Sequence, residues 1–255
     1  MRVVAIETAT TFGSVALVEE NVVLAETCLF VPQGHCESVL PAVEELLLAA
    51  GKRVSEVDAF AVSLGPGSFT ALRIGLSTAK ALAFSCGKPL AGVGTLDAVA
   101  FNVAGLFRYV CPIVDARRRE VFYSVYSDNE GVQEKMLEYS SDSPHGAVDT
   151  IAALLEDRRE EEAASGGGET SRANVAFLGD GVKLCRELVV KRLGARASFA
   201  ADHVGIPRAS AVGLLALRSL RGGGVARLAG EGARLAGMEP IYVRRSDAEL
   251  RRKQA

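Results

Sequence analysis

The sequence predicts an α/β protein of two related halves, each a mixed sheet flanked by helices. Three observations predict it. Short apolar runs with strand spacing alternate along the 255 residues with segments whose apolar positions fall at helical spacing. The opening VVAIETATTFGSVALV (3–18) returns in layout as VCPIVDARRREVFYSVY (110–126). Each is an apolar run, an acid, a short polar turn and a second apolar run, with Glu7 and Asp115 in equivalent places. Between them, GPGSFTALRIG (65–75) joins an apolar run to a long helical pattern through a glycine-rich turn. The expected division is a first lobe over 1–107 and a second over 108–255.

The elements follow in order. Val3 to Ile6 is an apolar strand, and Ser14–Glu19 and Val22–Leu29 are two more, with Glu20-Asn21 as the hairpin turn. Val39, Leu40, Val43, Leu46 and Leu47 fall on one helical face, and Gly51 stands near that helix's end. Ala59–Leu64 reads as a buried strand, Ser68–Cys86 as the second helix, Lys88–Gly92 as a short link into a strand, and Thr95–Ala104 as a third helix. In the second half, Val110–Tyr126 reads as strand, turn, strand; NVAFLGDGV (174–182) is a strand ending in a glycine turn; Leu184–Arg192 and Ser210–Arg221 are helices. Two stretches, 156–173 and 221–237, are charged or glycine-rich and bury little, so they read as loops, the first as an insertion. The tail after Tyr242 is basic and is expected to fray.

Composition removes whole classes of function. A hydrophobic share of 49% supports real cores, and a formal net charge of −2 exerts no general pull on nucleic acid or membrane. The five cysteines are scattered, with no CxxC pair, which fits thiols in a reducing cytosol better than a disulfide framework or a zinc site. No run approaches the ~18 apolar residues of a membrane span, and the N-terminus enters a strand directly. A cytoplasmic protein is expected.

The turn at 65–75 invites comparison with phosphate cradles. No Lys-Ser or Lys-Thr follows its glycines, so it is no Walker A loop. The plainer account gives Gly65 and Gly67 backbone angles other residues avoid, lets Pro66 stiffen the turn, and makes Ser68 the helix cap. In the helix beyond, Ala71, Gly75, Ala79 and Ala83 recur every four residues as a stripe of small side chains, with Arg73, Ser77 and Lys80 on a polar flank. Such a stripe suits a closely approaching helix or the protein's own sheet. The hairpin IETATTFG (6–13) ends a strand in an acid and turns through threonines, a layout that in nucleotide-binding folds bends around phosphates. His35, His145 and His203 are far apart, and none has a second histidine at i+4.

Several stretches converge on one resemblance. VVAIETATTFGSVAL, HCESVLPAVEELL (35–47), SLGPGSFTALRIGLSTAKALA (63–83), VGTLDAVA (93–100), VDARRREVFYSVY (114–126) and PIYVRRS (240–246) together resemble the bacterial TsaB family in order and spacing over nearly the whole chain. The resemblance implies the ASKHA (actin-like ATPase) fold, two ribonuclease H-like lobes with mixed sheets flanked by helices. It implies a non-catalytic subunit in synthesis of N6-threonylcarbamoyladenosine in tRNA. Its partners would be a TsaD-type transferase, a TsaE-type ATPase, a second copy of itself when alone, and tRNA through the complex, with no membrane.

The resemblance also places the partner surface on the two N-terminal helices. The candidates there are His35, Leu40, Val43, Leu47, Ala71, Arg73, Gly75, Ala79 and Lys80. Spacing alone does not decide which side of each helix faces inward. The nucleotide cleft of the fold would fall at Glu7, Thr8, Thr10, Asp115, Gly179, Asp180 and Gly181. Glu7 stands where aspartate is common in this fold, and the set lacks an obvious lysine or base, so the cleft is read as vestigial. No catalytic residue, metal or resident cofactor is expected, with ATP or ADP confined to the interface of a full complex. The alternative reading is an ATP-using actin-like ATPase or kinase built on Glu7, Asp115 and the GDG turn. A protease acting on the partner ranks last, since no triad supports it.

Overall fold

A computed structural model describes residues 1–31, 37–164, 175–222, 227–229, 235 and 237–244. The chain forms two compact units, Met1–Ala98 with Pro207–Ala255, and Val99–Ile206.

In the first unit the strands are β1 (Arg2–Glu7), β2 (Phe12–Glu19), β3 (Val22–Phe30), β4 (Ala59–Gly65) and β5 (Leu90–Gly94), with helices α1 (Val39–Ala49) and α2 (Phe69–Cys86). Helix α3 (Thr95–Phe101) runs across the division between the units. The second unit repeats the plan with β6 (Tyr109–Arg117), β7 (Glu120–Asn129), β8 (Val132–Asp142), α4 (Pro144–Ala164), β9 (Val175–Leu178), α5 (Val182–Leu193) and β10 (Ala197–Phe199). Helix α6 (Ala209–Leu220) and β11 (Arg227–Ala229) return to the first unit.

The two sheets share one topology. The first runs β11-β5-β4-β1-β2-β3 and the second β10-β9-β6-β7-β8. In each, three antiparallel strands form a meander, and the first of them pairs in parallel with a strand that follows a helix. This is the ribonuclease H-like lobe expected from the sequence, present twice. A parallel pair cannot be closed by a tight turn, so a crossover helix stands between its strands: α1 between the meander and β4, α4 between the meander and β9.

The first core lies on one face of its sheet. Val4, Ile6, Phe60, Val62 and Leu64 pack against Val43, Leu46 and Leu47 of α1 and Leu76, Ala79 and Ala83 of α2. Helix α6 covers the opposite face, where a Cβ on Gly213 would fall 2.8 Å from Val18. The second core gathers Cys111, Ile113, Tyr123, Val125 and Phe177 with Ile151 and Leu155 of α4 and Cys185 and Val189 of α5. The four cysteines among the described residues are free thiols.

The chain's return corrects the expected second lobe of 108–255. Residues 207 onward rejoin the first unit because the sheet face left bare by α1 and α2 needs a cover, and α6 supplies it. Glu26 of β3 fixes that return. Its carboxylate accepts from Ser210 N–H (2.9 Å) and from Arg208 Nε (3.0 Å), while Ser14 Oγ accepts from Ala209 N–H (2.8 Å). These side chains satisfy helix N–H groups that have no partner within the helix. Glu26→Ala is expected to cost about 1–2 kcal/mol, the value of a lost helix cap, read as a lower denaturation midpoint.

Two loops read from composition also differ. Residues 156–164 are not loop but the last turns of α4, because Glu, Arg and Ala are good helix formers and Arg158 pairs with Glu161 at 3.0 Å. The rest of that stretch, 165–173, lies outside the described residues. Within 221–237, Arg227–Ala229 forms β11, antiparallel to β5. Of the basic tail, only residues up to 244 are described.

Candidate functional site

The GPG turn is built around a neighbouring carbonyl. Ser68 N–H, the first free donor at the α2 N-terminus, donates to Ala9 O at 2.8 Å. A Cβ on Gly67 would lie 2.5 Å from that same oxygen, so only glycine admits the approach. Gly65 sits at φ 107°, a conformation L side chains rarely adopt. Ser68 occupies the cap position, but its hydroxyl makes no capping bond; the cap is supplied by Ala9 instead. A phosphate would have to displace this contact.

The threonine hairpin is likewise engaged. Thr8 Oγ1 donates to Ala71 O at 2.8 Å, tying the end of β1 to the first turn of α2. Thr10 Oγ1 accepts from Phe12 N–H at 3.2 Å. Glu7 is fully buried, and its Oε1 accepts from Ala9 N–H at 2.5 Å. Burial pushes its carboxyl up from 4.5 to about 7, while the Ala9 N–H, the Ser63 hydroxyl and the Thr8 N–H pull it part of the way back. Glu7 Oε2 and Ser63 Oγ are both buried without a hydrogen-bond partner.

In the second unit, Asp115, Gly179, Asp180 and Gly181 do come together. Asp180 Oδ1 accepts from Asp115 N–H at 2.9 Å, and Ile113 O accepts from Gly181 N–H at 3.0 Å. A Cβ on Gly179 would fall 2.0 Å from Ile113 O, so the glycine is required by the close passage of β6. Burial raises the Asp180 carboxyl above its ordinary range. Asp115 Oδ1 in turn accepts from Arg117 N–H at 2.7 Å. In both units, then, several of these groups, the Thr8 and Thr10 hydroxyls, Asp180 Oδ1 and the Gly181 N–H, are bonded within the protein, while Glu7 Oε2 is not.

The expected partner residues divide sharply. Val43, Leu47, Ala71, Gly75 and Ala79 are buried within their own unit, which corrects their assignment as contact residues. The small side chains let α2 lie close on the sheet: a Cβ on Gly75 would stand 2.3 Å from Thr8 Oγ1. Leu40 and Arg73 are exposed, and Lys80 is half-buried. His35 lies outside the described residues.

Sequence reasoning missed two large exposed apolar side chains on these helices, Leu48 (78%) on α1 and Phe84 (74%) on α2. Their signal was available, since each falls off the buried stripe of its helix. Near the α2 N-terminus, the Arg73 guanidinium lies 3.8 Å from the centre of the Phe69 ring and its Nε donates to Tyr242 OH at 3.0 Å. An open groove of about 420 Å³ runs along Phe69, Thr70, Arg73, Ile74, Ser77 and Thr78. Tyr242 is brought here by the bond from Ile241 N–H to Leu64 O, at 2.7 Å.

His145 and His203 are both exposed, and among the described residues no cluster of three or more His, Cys, Asp or Glu side chains could hold a metal ion. Among the same residues, no helix is long and apolar enough to cross a membrane.

Comparison with known proteins adds to this geometry. The family model described as TsaD, tRNA N6-adenosine threonylcarbamoyltransferase, matches residues 30–251. The chain is 28% identical over 252 residues to the tRNA threonylcarbamoyladenosine biosynthesis protein TsaB of Bacillus subtilis, covering 98% of this chain and 97% of that protein. It is 38% identical over 135 residues to the TsaB of Escherichia coli, covering 51% of this chain and 57% of that one. Among solved structures it is similar in fold to YeaZ from Pseudomonas aeruginosa, with a TM-score of 0.70 and 24% identity over 94% of this chain and 99% of that one.

Proposed function

The chain belongs to the TsaD family, that of tRNA N6-adenosine threonylcarbamoyltransferase, and from that membership we propose that it is a non-catalytic subunit that docks on and activates a TsaD-type transferase. Its relatives place it in tRNA threonylcarbamoyladenosine biosynthesis. The observation that carries the subunit reading is the set of exposed side chains on α1 and α2: Leu40 and Leu48 on α1, Phe84 near the C-terminal end of α2, and the Arg73 and Phe69 stack near its N-terminal end. Exposed large apolar and arginine side chains are the kind that anchor protein interfaces. In this reading the transfer chemistry belongs to the partner and no nucleotide resides here, with the Thr8 and Thr10 hydroxyls and the Gly181 N–H bonded within the protein. In this reading a TsaE-type ATPase joins the pair, tRNA is met through the complex in the cytoplasm, and the same helices pair two copies when the transferase is missing.

The test is light scattering after size exclusion, on the chain alone and then with the transferase of the same organism. A homodimer that converts to a heterodimer supports the reading; a monomer that ignores the transferase ends it. Leu48→Glu and Phe84→Glu are each expected to weaken that association by about 2 kcal/mol, the scale of an interface hot spot, or roughly 30-fold. Both positions are solvent-exposed, so thermal stability should hold. If neither charge alters association, the partner surface lies elsewhere. Calorimetry with ATP and magnesium separates the alternative: strong heat from the isolated chain would favour an ATP-using enzyme.

A further inference from the structure

The tip of the β6–β7 hairpin is unusual in two ways. Arg117, Arg118 and Arg119 follow one another with φ of 63°, 53° and 61°, all in the left-handed region. All three are exposed. Elsewhere among the described residues positive φ falls on glycine at eight positions and on single glutamates at two hairpin turns, Glu20 (57°) and Glu130 (51°), so only here do three non-glycine residues adopt it in succession. A left-handed conformation crowds Cβ against the backbone, and glycine or asparagine would relieve it at each position. Three consecutive arginines hold this turn where the β2–β3 and β7–β8 turns each place one glutamate, so the strain is concentrated at one basic tip. Strain of this sort persists where its surroundings over-determine it, and it gathers at functional sites.

The surroundings do over-determine it. Asp115 Oδ1 accepts from Arg117 N–H, and Asp180 Oδ1 accepts from Asp115 N–H, so two carboxylates brace the base of the hairpin. The Arg117 guanidinium lies 3.6 Å from Asp115 Oδ2 and is partly neutralised. Arg118 and Arg119 follow Arg117 in the turn, and both are exposed. The result is an exposed tip, bonded at its base, that carries three guanidinium groups in a chain whose net charge is −2.

We propose that the Arg117–Arg119 hairpin contacts the phosphodiester backbone of the tRNA substrate, with Arg118 and Arg119 as the phosphate-binding side chains. Guanidinium forks match phosphate geometry, and a pre-formed tip loses little freedom on binding. The contact positions the RNA and carries no base specificity. This proposal rests on the reading that the chain works on tRNA in complex with the transferase.

The test uses fluorescence anisotropy with an unmodified, labelled tRNA transcript, on the chain alone and on its mixture with the transferase, from 50 to 200 mM salt. In parallel, size exclusion follows complex formation. The double variant Arg118→Gly with Arg119→Gly should bind RNA about tenfold more weakly at 50 mM salt, and the slope of log affinity against log salt should become shallower by about 1.5. Its melting temperature should hold or rise, because glycine accepts the left-handed turn. Arg118→Lys with Arg119→Lys should retain most of the binding. A purely structural role would lower the melting temperature and leave the salt slope alone. Unchanged affinity and slope in a complex that forms normally overturn the proposal while sparing the subunit reading. Loss of the complex instead of the RNA contact makes the hairpin a protein interface and also overturns it. If the transferase does not bind at all, the subunit reading fails, and the chain-alone arm still decides whether the arginines hold RNA.

Discussion

Gly75→Leu is expected to unfold the first unit rather than to release a partner. The hydrogen of Gly75 faces Thr8, whose hydroxyl would lie 2.3 Å from even a single added carbon. That hydroxyl donates to Ala71 O and ties the end of β1 to α2. An alanine therefore displaces Thr8 and breaks the tie, at about 1–3 kcal/mol for overpacking. A leucine drives further atoms into the same gap, and the cost should exceed about 3 kcal/mol, a large share of the 5–15 kcal/mol typical of a whole domain. Denaturant unfolding of the two variants measures this directly. The mechanism has a sharper check in a double-mutant cycle: Thr8→Ala should recover part of the loss caused by Gly75→Ala, because it removes the group that clashes. A Gly75→Leu protein of full stability that fails only to associate would mean that the small stripe faces outward.

Glu7→Gln is expected to stabilise the protein above pH 7 by up to about 3 kcal/mol and to flatten its pH dependence. Burial raises the Glu7 carboxyl from 4.5 to about 7. Between those values the folded chain holds a proton that the unfolded chain has released, so stability is greatest below about pH 4.5, falls as pH rises, and levels off above 7. The rise converts to about 3 kcal/mol at 1.36 kcal/mol per tenfold change in acidity. Glutamine keeps an oxygen to accept from Ala9 N–H, cannot ionise, and has the unpartnered Ser63 hydroxyl beside it as an acceptor. Unfolding midpoints of both proteins at pH 5 and pH 8 decide the matter. The gap between them should open toward pH 8; an equal slope in both would show that another group titrates.

The resemblance between the two hairpins was legible in the sequence because both strands of each carry the same alternation of apolar run, acid and turn. The repeated sheet order follows from it. Strand β8 was passed over, since VQEKMLEYSSD is nowhere fully buried and shows no clean apolar face. Helix α4 was passed over as well, although Ala147, Val148, Ile151, Ala152 and Leu155 fall at helical spacing and are all buried, and its acidic end reads as loop by composition. The stripe of Ala71, Gly75 and Ala79 shows the general difficulty. Spacing tells which side chains share a face, but the occupant of that face, here Thr8 and the sheet, is set by contacts 63 residues apart, as in the bond from Thr8 to Ala71. The same holds for Glu26 and Ser210, which meet across 184 residues.

The return of α6 has a consequence for synthesis. The first unit is written in two pieces with the whole of the second between them. As the chain leaves the ribosome, residues 99–206 can close their own sheet while the first unit still waits for α6. Until about residue 220 emerges, the sheet face that receives Gly213 near Val18 and Ala5 stays open. The unit that begins first therefore finishes last, and its bare apolar face is the nascent chain's period of greatest exposure to aggregation and to chaperones.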